Sequence, residues 1–321
     1  MNILLTNRDH SLWSGGDSNK INHYMAHLPH LGHKVGYTYD VEDDWSNWDI
    51  IHTFHLGHEF SYKFYLEAVR TEKPFVISPI YFPNQSNPIP YRADMVEYAS
   101  AIAFLSEGEK EAVKGIYVDD EGWELIEEKA FIVPNGIDPI YATKGKKYTH
   151  PGCPNEDYIL CVGRIDARKN QHLLAQACME EDIPLLLVGE ASYTPESDSI
   201  NALMKTTPLI WHEPAAPPEK LVEAYRGAKV LACPSTLEMW PNVVAEGGLA
   251  GCNLVVSSGS MTFTDFPDVE VCDPNLASIR VAIRAAYDKP RRNTPEPFTQ
   301  FTWERAVKEL NNLYEEVLSN G

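Results

Sequence analysis

The chain has 321 residues, a length typical of two domains. Its 44% hydrophobic and 23% charged residues are close to globular averages, which excludes wholesale disorder and fibrous repeats. A net charge of −19 argues against a nucleic-acid partner, because phosphate backbones require a basic face. No apolar run reaches the roughly 18 residues of a membrane-spanning helix, and the N-terminus lacks a signal-peptide pattern, so we expect a cytoplasmic protein.

Short apolar runs alternate with stretches of helical periodicity in the first half, which predicts an α/β domain with a parallel sheet. Strands are predicted at residues 3–6, 34–39, 49–54, 75–80, 101–105 and 131–133. An amphipathic helix is predicted at 17–31 and ends at Gly32. Ser106 and Glu109 have capping-box spacing and predict the start of another helix.

The second half repeats this order, so we expect two Rossmann-like units in tandem. Strands are predicted at 158–162, 184–188, 209–211, 229–232, 253–256 and 270–272, and helices near 171–181, 218–226, 243–250 and 303–318. Residues 141–157 lose all periodicity and are interpreted as the linker. Because open α/β sheets bind ligands at the carboxyl ends of their strands, two such units predict a ligand cleft between them.

The cysteines and histidines do not form a metal-binding pattern. All six cysteines follow residue 152 without Cys-x-x-Cys spacing, so we expect buried, reduced thiols. Four histidines between residues 23 and 33 have helical spacing, but no cysteine or carboxylate set completes a coordination shell. We therefore predict neither a metal nor a cofactor.

Gly15 and Gly16 lie between the first predicted strand and the first helix. Two glycines let a ligand approach the backbone closely, and the helix that follows offers free N–H groups to an anion. A tight turn from strand to helix is the alternative interpretation. The sequence contains no Gly-x-Gly-x-x-Gly, so a dinucleotide site is not supported.

A second loop of this kind follows the first strand of the second half. Arg164 leaves the strand end and Lys169 stands where the next helix begins. Two cations at this spacing can converge on one pair of phosphates, since arginine supplies forked donors and lysine a point charge. A surface loop with scattered charges is the alternative.

The strongest motif contains two carboxylates, Glu238 and Glu246, around a predicted helix start at Pro241. About five helical residues separate Glu246 from that start, which is roughly 7 Å along the axis. The two carboxylates are therefore too far apart to share a metal. They can contact opposite ends of an elongated ligand whose phosphates rest on the helix N-terminus, and Arg164 and Lys169 would offset the acidic charge there.

In their order along the chain, these motifs resemble the retaining glycosyltransferases of family 4 (group 1 glycosyltransferases). Residues 133–138 (VPNGID) and the ending 301–306 (FTWERA) also resemble that family. The resemblance implies the GT-B fold, in which two Rossmann-like domains with parallel sheets face an interdomain cleft. The domains would be an acceptor domain at 1–145, completed by the C-terminal helix 303–321, and a donor domain at 153–302.

The resemblance also implies a catalytic set of Arg164, Lys169 and Glu238. The two cations would hold the diphosphate of a nucleoside-diphosphate sugar and stabilise its charge as the sugar leaves. Glu238 would contact the donor sugar. The leaving phosphate oxygen would help to deprotonate the acceptor, so the protein supplies positioning and electrostatic stabilisation.

Donor-binding residues carried over from the family are Gly15, Gly16, Asn242, Val243 and Glu246. The glycines would close over the phosphates, and backbone N–H groups near Asn242 and Val243 would bind the distal phosphate. Glu246 would bind the ribose hydroxyls.

The acceptor side is predicted less closely, at His52, His55 and Asn135. The family often has a histidine after the fourth strand, whereas residues 77–83 contain none. His52 matches the family's Asp-x-x-His, and His55 lies one place beyond the usual second histidine. A structural histidine at a strand end remains the alternative for both.

The sequence thus predicts a retaining, metal-independent transferase of the hexosyltransferase type, acting on a saccharide or other hydroxyl acceptor. A nucleotide-sugar epimerase and a non-catalytic carbohydrate- or partner-binding protein of the same fold are the alternatives. Lys144, Lys146 and Lys147 form a short basic patch, but the general acidic excess argues against membrane association.

Overall fold

The computed structural model describes residues 1–9, 15–80, 89–115, 120–152, 154, 157–191, 194–214 and 216–320. The chain divides into two compact units. The first comprises Met1–Gly136 with Phe301–Gly321, and the second comprises Ile137–Gln300.

The first unit is a six-stranded parallel sheet with helices on it. Its strands are Asn2–Thr6 (β1), Lys34–Thr38 (β2), Ile50–Phe54 (β3), Phe75–Ser78 (β4), Ala101–Phe104 (β5) and Ala130–Ile132 (β6). Its first five helices are Gly16–His27 (α1), Glu59–Arg70 (α2), Ile89–Tyr98 (α3), Glu107–Lys114 (α4) and Asp120–Glu128 (α5). As the capping-box spacing predicts, the Ser106 side chain accepts a hydrogen bond from the Glu109 amide and begins α4.

The second unit repeats the plan with six parallel strands. They are Ile159–Val162 (β7), Leu185–Val188 (β8), Ile210–Glu213 (β9), Val230–Cys233 (β10), Asn253–Ser257 (β11) and Val269–Cys272 (β12). Its helices are Gln171–Glu180 (α6), Pro195–Met204 (α7), Pro218–Gly227 (α8), Asn242–Leu249 (α9) and Leu276–Asp288 (α10). All twelve strands predicted from the sequence are present, because strands buried on both faces read as continuous apolar runs.

The strand orders locate a point of reversal in each unit. The first sheet has the order β2-β1-β3-β4-β5-β6, and the second has β12-β11-β10-β7-β8-β9. The strand order reverses between β1 and β3 in the first unit and between β10 and β7 in the second. Doubly wound sheets bind ligands at the carboxyl ends of the strands beside such a reversal.

The last helix, Trp303–Ser319 (α11), packs into the core of the first unit. Thr302 caps its start by accepting a hydrogen bond from the Arg305 amide. Seven of its residues are buried: Trp303, Ala306, Val307, Leu310, Leu313, Tyr314 and Val317. The first unit is therefore built from both ends of the chain.

The chain leaves the first unit at Gly136, before the linker at residues 141–157 that composition predicts. The segment that follows packs on α8 in the second unit. The Thr143 carbonyl accepts a hydrogen bond from Arg226 Nε at 2.8 Å, and the Tyr148 amide donates to the Glu223 carbonyl at 2.9 Å. These long-range contacts leave no trace in local composition.

The contribution of α11 to the first unit is testable with one buried and one exposed residue. Leu310 is fully buried, so Leu310→Ala is expected to lower the free energy of unfolding by about 2–5 kcal/mol. Lys308 is exposed on the same helix, and Lys308→Ala is expected to change it by less than about 0.5 kcal/mol. Denaturant titration measures both, and equal effects would contradict this packing.

Candidate active site

Two loops meet where the second sheet reverses its order, one after β7 and one after β10. The Gly163 amide donates to the Val188 carbonyl at 2.8 Å, which extends the pairing of β7 with β8. Gly163 and Gly189 have φ values of +141° and +143°. A Cβ atom on Gly189 would overlap the Gly163 carbonyl, so the close approach of these strand ends requires glycine.

Short-range hydrogen bonds fix the loop after β7. The Asp166 carboxylate accepts a hydrogen bond from the Lys169 amide at 3.1 Å, and Gln171 Nε2 donates to the Arg164 carbonyl at 2.9 Å. Asn170 has a left-handed backbone (φ +55°), and its Nδ2 donates to the Pro234 carbonyl at 3.0 Å. That last bond joins the loop after β7 to the loop after β10.

A buried ion cluster lies where these loops meet. Lys169 Nζ lies 2.5 Å from Glu238 Oε1, and Arg168 Nη1 lies 3.1 Å from the same oxygen. Burial of Glu238 opposes its ionisation, but the two cations outweigh burial and hold the pKa of the carboxyl below its ordinary value. The structure thus brings together the predicted Lys169 and Glu238, and adds Arg168.

Sequence reasoning missed Arg168, although it stands next to Lys169. Its Nη1 also donates to the Leu237 carbonyl at 2.9 Å, and its own carbonyl accepts from the Thr236 amide at 2.7 Å. The signal that could have indicated Arg168 is its position in the sequence, directly before the predicted Lys169. Spacing alone could not show that both side chains turn to one carboxylate.

Arg164, the other predicted cation, lies outside this cluster. Its side chain is 60% exposed, and its Nε lies 3.6 Å from the Asp166 carboxylate. An exposed ion pair at this distance is weak, so the guanidinium remains available to a ligand.

The loop after β10 is fixed to the segment that follows β11. The Glu238 amide donates to the Gly259 carbonyl at 3.1 Å, and the Met261 amide donates to the Glu238 carbonyl at 2.7 Å. A Cβ atom on Gly259 would overlap the Thr236 carbonyl. The backbone that positions Glu238 is therefore held on both sides.

Helix α9 begins at Asn242, so the placement of Pro241 in the first helical turn was wrong: it occupies the position before the helix. Its extended backbone, with φ −74° and ψ 96°, is that of a residue preceding a helix. Asn242 and Val243 are the first two residues of α9, where backbone N–H groups point away from the helix.

Glu246 lies one helical turn further along α9, in different surroundings. Its carboxylate accepts a hydrogen bond from the Tyr225 hydroxyl, a partner on α8 that the sequence did not suggest. Burial is the main reason that the pKa of Glu246 rises to about 7, and Asp138 raises it further. Tyr141 packs edge-on against Tyr225 with ring centres 5.0 Å apart, so a second tyrosine ring packs on the hydrogen-bond partner of Glu246.

The first unit has its own polar cluster at the reversal between β1 and β3. Asp17, in the first turn of α1, accepts hydrogen bonds from Asn7 Nδ2, Arg8 Nη2 and His55 Nε2, each at 3.0 Å. Burial opposes ionisation of this carboxyl, but His55, Arg8 and Asn7 hold its pKa well below the ordinary range. Asp17 was not among the predicted site residues, although it follows the Gly-Gly pair directly.

The predicted acceptor residues have different environments. His52 is fully buried, with Nδ1 at 2.6 Å from the Tyr314 hydroxyl and Nε2 at 2.9 Å from Ser78 Oγ. Burial and the nearby Lys20 lower its pKa well below the ordinary value. His55 has a left-handed backbone (φ +71°) and retains 9% exposure. Asn135 is buried after β6.

Gly15 and Gly16 are exposed at the start of α1, with Gly15 in the position before the helix. On the same helix Lys20 is 1% exposed, and its Nζ lies 5.5 Å from the centre of the Tyr24 ring. Burial lowers the pKa of Lys20 to about 8. This buried lysine was not predicted from the sequence.

The described part of the chain holds neither a metal-ligand cluster nor a helix suited to spanning a membrane. It contains no group of three or more histidine, cysteine, aspartate or glutamate side chains positioned to hold a metal ion. Among the described helices, none is both long and apolar enough to cross a membrane. His23, one of the helically spaced histidines, stacks on Trp303 with ring centres 3.9 Å apart. The five described cysteines are buried and unpaired, and Cys153 lies outside the described residues.

Comparison with known proteins finds a family match for the segment that contains both the loop after β7 and the loop after β10. Residues 150–266 match the family model of "Glycosyl transferases group 1". This segment is similar to the group 1 glycosyl transferases over about a third of the chain. The resemblance predicted from the motifs is thereby confirmed at the level of the group.

A curated relative covers part of the chain. A D-inositol 3-phosphate glycosyltransferase of Segniliparus rotundus is 30% identical over 145 residues, which is 40% of this chain and 32% of the relative. The chain is therefore matched to about a third of that protein's length.

Solved structures match over the whole chain. A sucrose-phosphate synthase from Thermosynechococcus elongatus has a TM-score of 0.79 at 15% identity, with 100% of both chains covered. A glycosyltransferase from Rickettsia africae ESF-5 has a TM-score of 0.76 at 15% identity, with 100% of this chain and 99% of that chain covered. At such low identity these matches show the fold alone, and they confirm the predicted GT-B fold class of two Rossmann-like units.

The environment of Glu246 predicts a pH-dependent stability. Because the native pKa of about 7 exceeds the ordinary value of 4.5, the native state favours the protonated acid. This advantage is fully present below pH 4.5 and is lost as the pH rises through about 7. The free energy of unfolding of the wild type is expected to fall by up to about 3 kcal/mol over this range, relative to that of Glu246→Gln, which does not titrate at this position. Denaturant titrations at several pH values measure the difference, and parallel pH profiles would contradict it.

Proposed function

We propose that this protein is a retaining, metal-independent glycosyltransferase that moves a sugar from a nucleoside-diphosphate sugar to a hydroxyl acceptor. The observation that carries the proposal is the cluster of Lys169, Arg168 and Glu238 at the strand-order reversal of the group 1 segment. In a chain with 46 acidic and 27 basic residues, two cations held together at that edge are suited to an anionic ligand.

The diphosphate would lie between this cluster and the start of α9. Its negative charge increases as the bond from the sugar carbon to the phosphate oxygen breaks. Lys169 and the exposed Arg164 would stabilise that charge, with Arg168 as a second cation beside Glu238. The backbone N–H groups of Asn242 and Val243 would bind the distal phosphate at the positive end of the helix.

The sugar carbon would form its new bond to the acceptor oxygen on the face that the phosphate leaves. The acceptor proton would pass to the leaving phosphate oxygen, so the transfer requires no basic side chain. Glu238, held ionised by its two cations, would accept hydrogen bonds from the sugar hydroxyls. Its fixed backbone would limit how the sugar can turn.

Glu246 would bind the ribose hydroxyls of the donor nucleotide. Its carboxylate already accepts the Tyr225 hydroxyl, and it has a second oxygen for a ribose hydroxyl. Burial in an apolar, aromatic environment strengthens such hydrogen bonds.

On the acceptor side we assign the ligand contact to His55. The Asp17 carboxylate accepts the hydrogen bond from His55 Nε2, so Nδ1 is the ring nitrogen left for a ligand. That nitrogen would accept a hydrogen bond from an acceptor hydroxyl. His52 has protein partners on both nitrogens, which supports a structural role for it.

The donor-side assignment is tested by Lys169→Met, which keeps the length of the side chain and removes its charge. Loss of one electrostatic contact to the leaving group is expected to lower kcat by about a hundredfold or more. The readout is release of the free nucleotide from a panel of uridine, guanosine and adenosine diphosphate sugars. Lys205→Met, at an exposed lysine in the same unit, is the matched control and is expected to retain wild-type activity.

A wild-type rate in Lys169→Met would overturn the proposed function. Accumulation of an epimer from the donor alone would instead favour a nucleotide-sugar epimerase. Absence of any nucleotide affinity in the wild type would favour a non-catalytic binding protein.

The role of His55 is tested by His55→Asn, with the acceptor that supports the greatest turnover. Loss of one hydrogen bond to the acceptor is expected to raise its KM by about tenfold. Hydrolysis of the donor by water should continue at the wild-type rate, because the diphosphate and ribose contacts proposed for Lys169, Arg164 and Glu246 lie on the second unit. His30→Asn, at an exposed position near the end of the first helical segment, is the control. A parallel loss of transfer and hydrolysis would indicate a structural role instead.

A further inference from the structure

A cavity within the second unit takes no part in the proposed transfer. Its volume is about 520 Å³, a size suited to a small metabolite. It is lined by residues from two segments of chain, 141–147 without Lys146 and alternate residues of 291–295, together with Arg226 and the end of α9 at residues 249–251. These segments follow and precede the two points at which the chain passes between the units.

The lining of this cavity is strongly basic. It includes Lys144, Lys147, Arg226 and Arg291, and its described lining residues include no aspartate or glutamate. The whole chain, in contrast, has 46 acidic and 27 basic residues. The local sign of the charge is therefore opposite to that of the protein, which favours an anionic occupant.

The helix ends near the cavity do not cancel this positive charge. Helices α8 and α9 both end here, and helix C-termini carry partial negative charge. Arg291 offsets it, because its Nη2 donates to the Ala250 carbonyl at 2.9 Å and to the Tyr225 carbonyl at 3.2 Å. Its Nε donates to the Gly251 carbonyl at 3.3 Å.

Arg226 is fixed at the edge of the cavity with donors left over. Its Nε donates to the Thr143 carbonyl at 2.8 Å, and one terminal nitrogen donates to the Thr143 hydroxyl. A Cβ atom on Gly145 would lie 2.7 Å from Arg226 Nη1, so glycine lets the chain lie close to the guanidinium. The arginine is therefore oriented before any ligand arrives, which lowers the entropy cost of binding.

The three lysines of segment 141–147 differ in their partners. Lys146 pairs with Glu223 at 3.2 Å and does not line the cavity. Lys144 and Lys147 do line it, and neither lies within 4.0 Å of a carboxylate among the described residues. Two exposed ammonium groups are thus available beside the oriented guanidinium.

We propose that this cavity binds a phosphorylated small molecule with at least two negative charges. Arginine forks and lysine ammonium groups together are the usual protein donors to phosphate oxygens. A neutral saccharide would gain nothing from so many cations. The proposal is independent of the transferase function, because it uses none of the residues assigned to the donor or the acceptor.

Inorganic pyrophosphate is a suitable probe, titrated calorimetrically into the full chain. The double variant Lys144→Glu/Lys147→Glu is expected to weaken binding at this cavity by at least about tenfold, since it replaces two charge-assisted contacts by repulsions. The control Lys205→Glu/Lys308→Glu changes two exposed lysines and the net charge by the same amount. It should bind as the wild type does, and equal losses in the two double variants would overturn the proposal.

Pyrophosphate could also occupy the proposed donor site, and Lys169→Met distinguishes the two. Binding that persists in Lys169→Met and disappears in the Lys144/Lys147 variant supports this cavity. The opposite pattern overturns it and leaves the transferase proposal intact. If Lys169→Met instead retains wild-type transfer while pyrophosphate binding still depends on Lys144 and Lys147, the transferase proposal fails and this one stands.

Lipid headgroups present the same phosphate chemistry from a different source. Sedimentation with phosphatidylcholine vesicles, with and without phosphatidic acid, separates the two sources. Vesicle binding that depends on Lys144 and Lys147, without pyrophosphate binding, would overturn a soluble ligand. Absence of binding to both probes would overturn the site itself.

Discussion

The site of the second unit depends on a carboxylate that is buried between two cations. An isolated buried carboxylate is strongly unfavourable, so Glu238 requires both Lys169 and Arg168 beside it. The two cations lie in the loop after β7 and Glu238 lies in the loop after β10, and the hydrogen bond from Asn170 to the Pro234 carbonyl joins the same loops. The contacts that offset the cost of burying the Glu238 carboxylate therefore also hold the carboxyl ends of β7 and β10 together. The positions of these side chains at this edge are therefore fixed by contacts within the protein itself.

The two glutamates of the motif have opposite environments, although they lie on one loop and the helix that follows it. Glu238 is held ionised by cations, whereas burial raises the pKa of Glu246 to about 7 beside the Tyr225 hydroxyl. Acids whose pKa values are separated in this way can perform different tasks within one site. The first would hold its charge at all physiological pH values, and the second would respond to what binds against it.

The sequence predicts the fold much better than the contacts within the site. Twelve strands follow from apolar runs because burial on both faces imposes that pattern locally. Lys169 and Glu238 follow from motif order, but their pairing with Arg168 depends on two loops distant in the chain. The bond from His55 to Asp17 likewise spans two strand ends, and no periodicity encodes it. Side-chain partners separated by tens of residues are set by topology, which local patterns do not contain.

The path of the chain also affects the order in which the two units can be completed during synthesis. The seven buried residues of α11 fill the core of a unit whose strands were made first. The ribosome synthesises the chain from its N-terminus. All strands and helices of the second unit, which lies between the two parts of the first, have therefore been made before α11 leaves the exit tunnel. The domain that begins earliest is thus completed last. Until then the part of its apolar core that α11 covers is exposed, a state in which molecular chaperones can bind it.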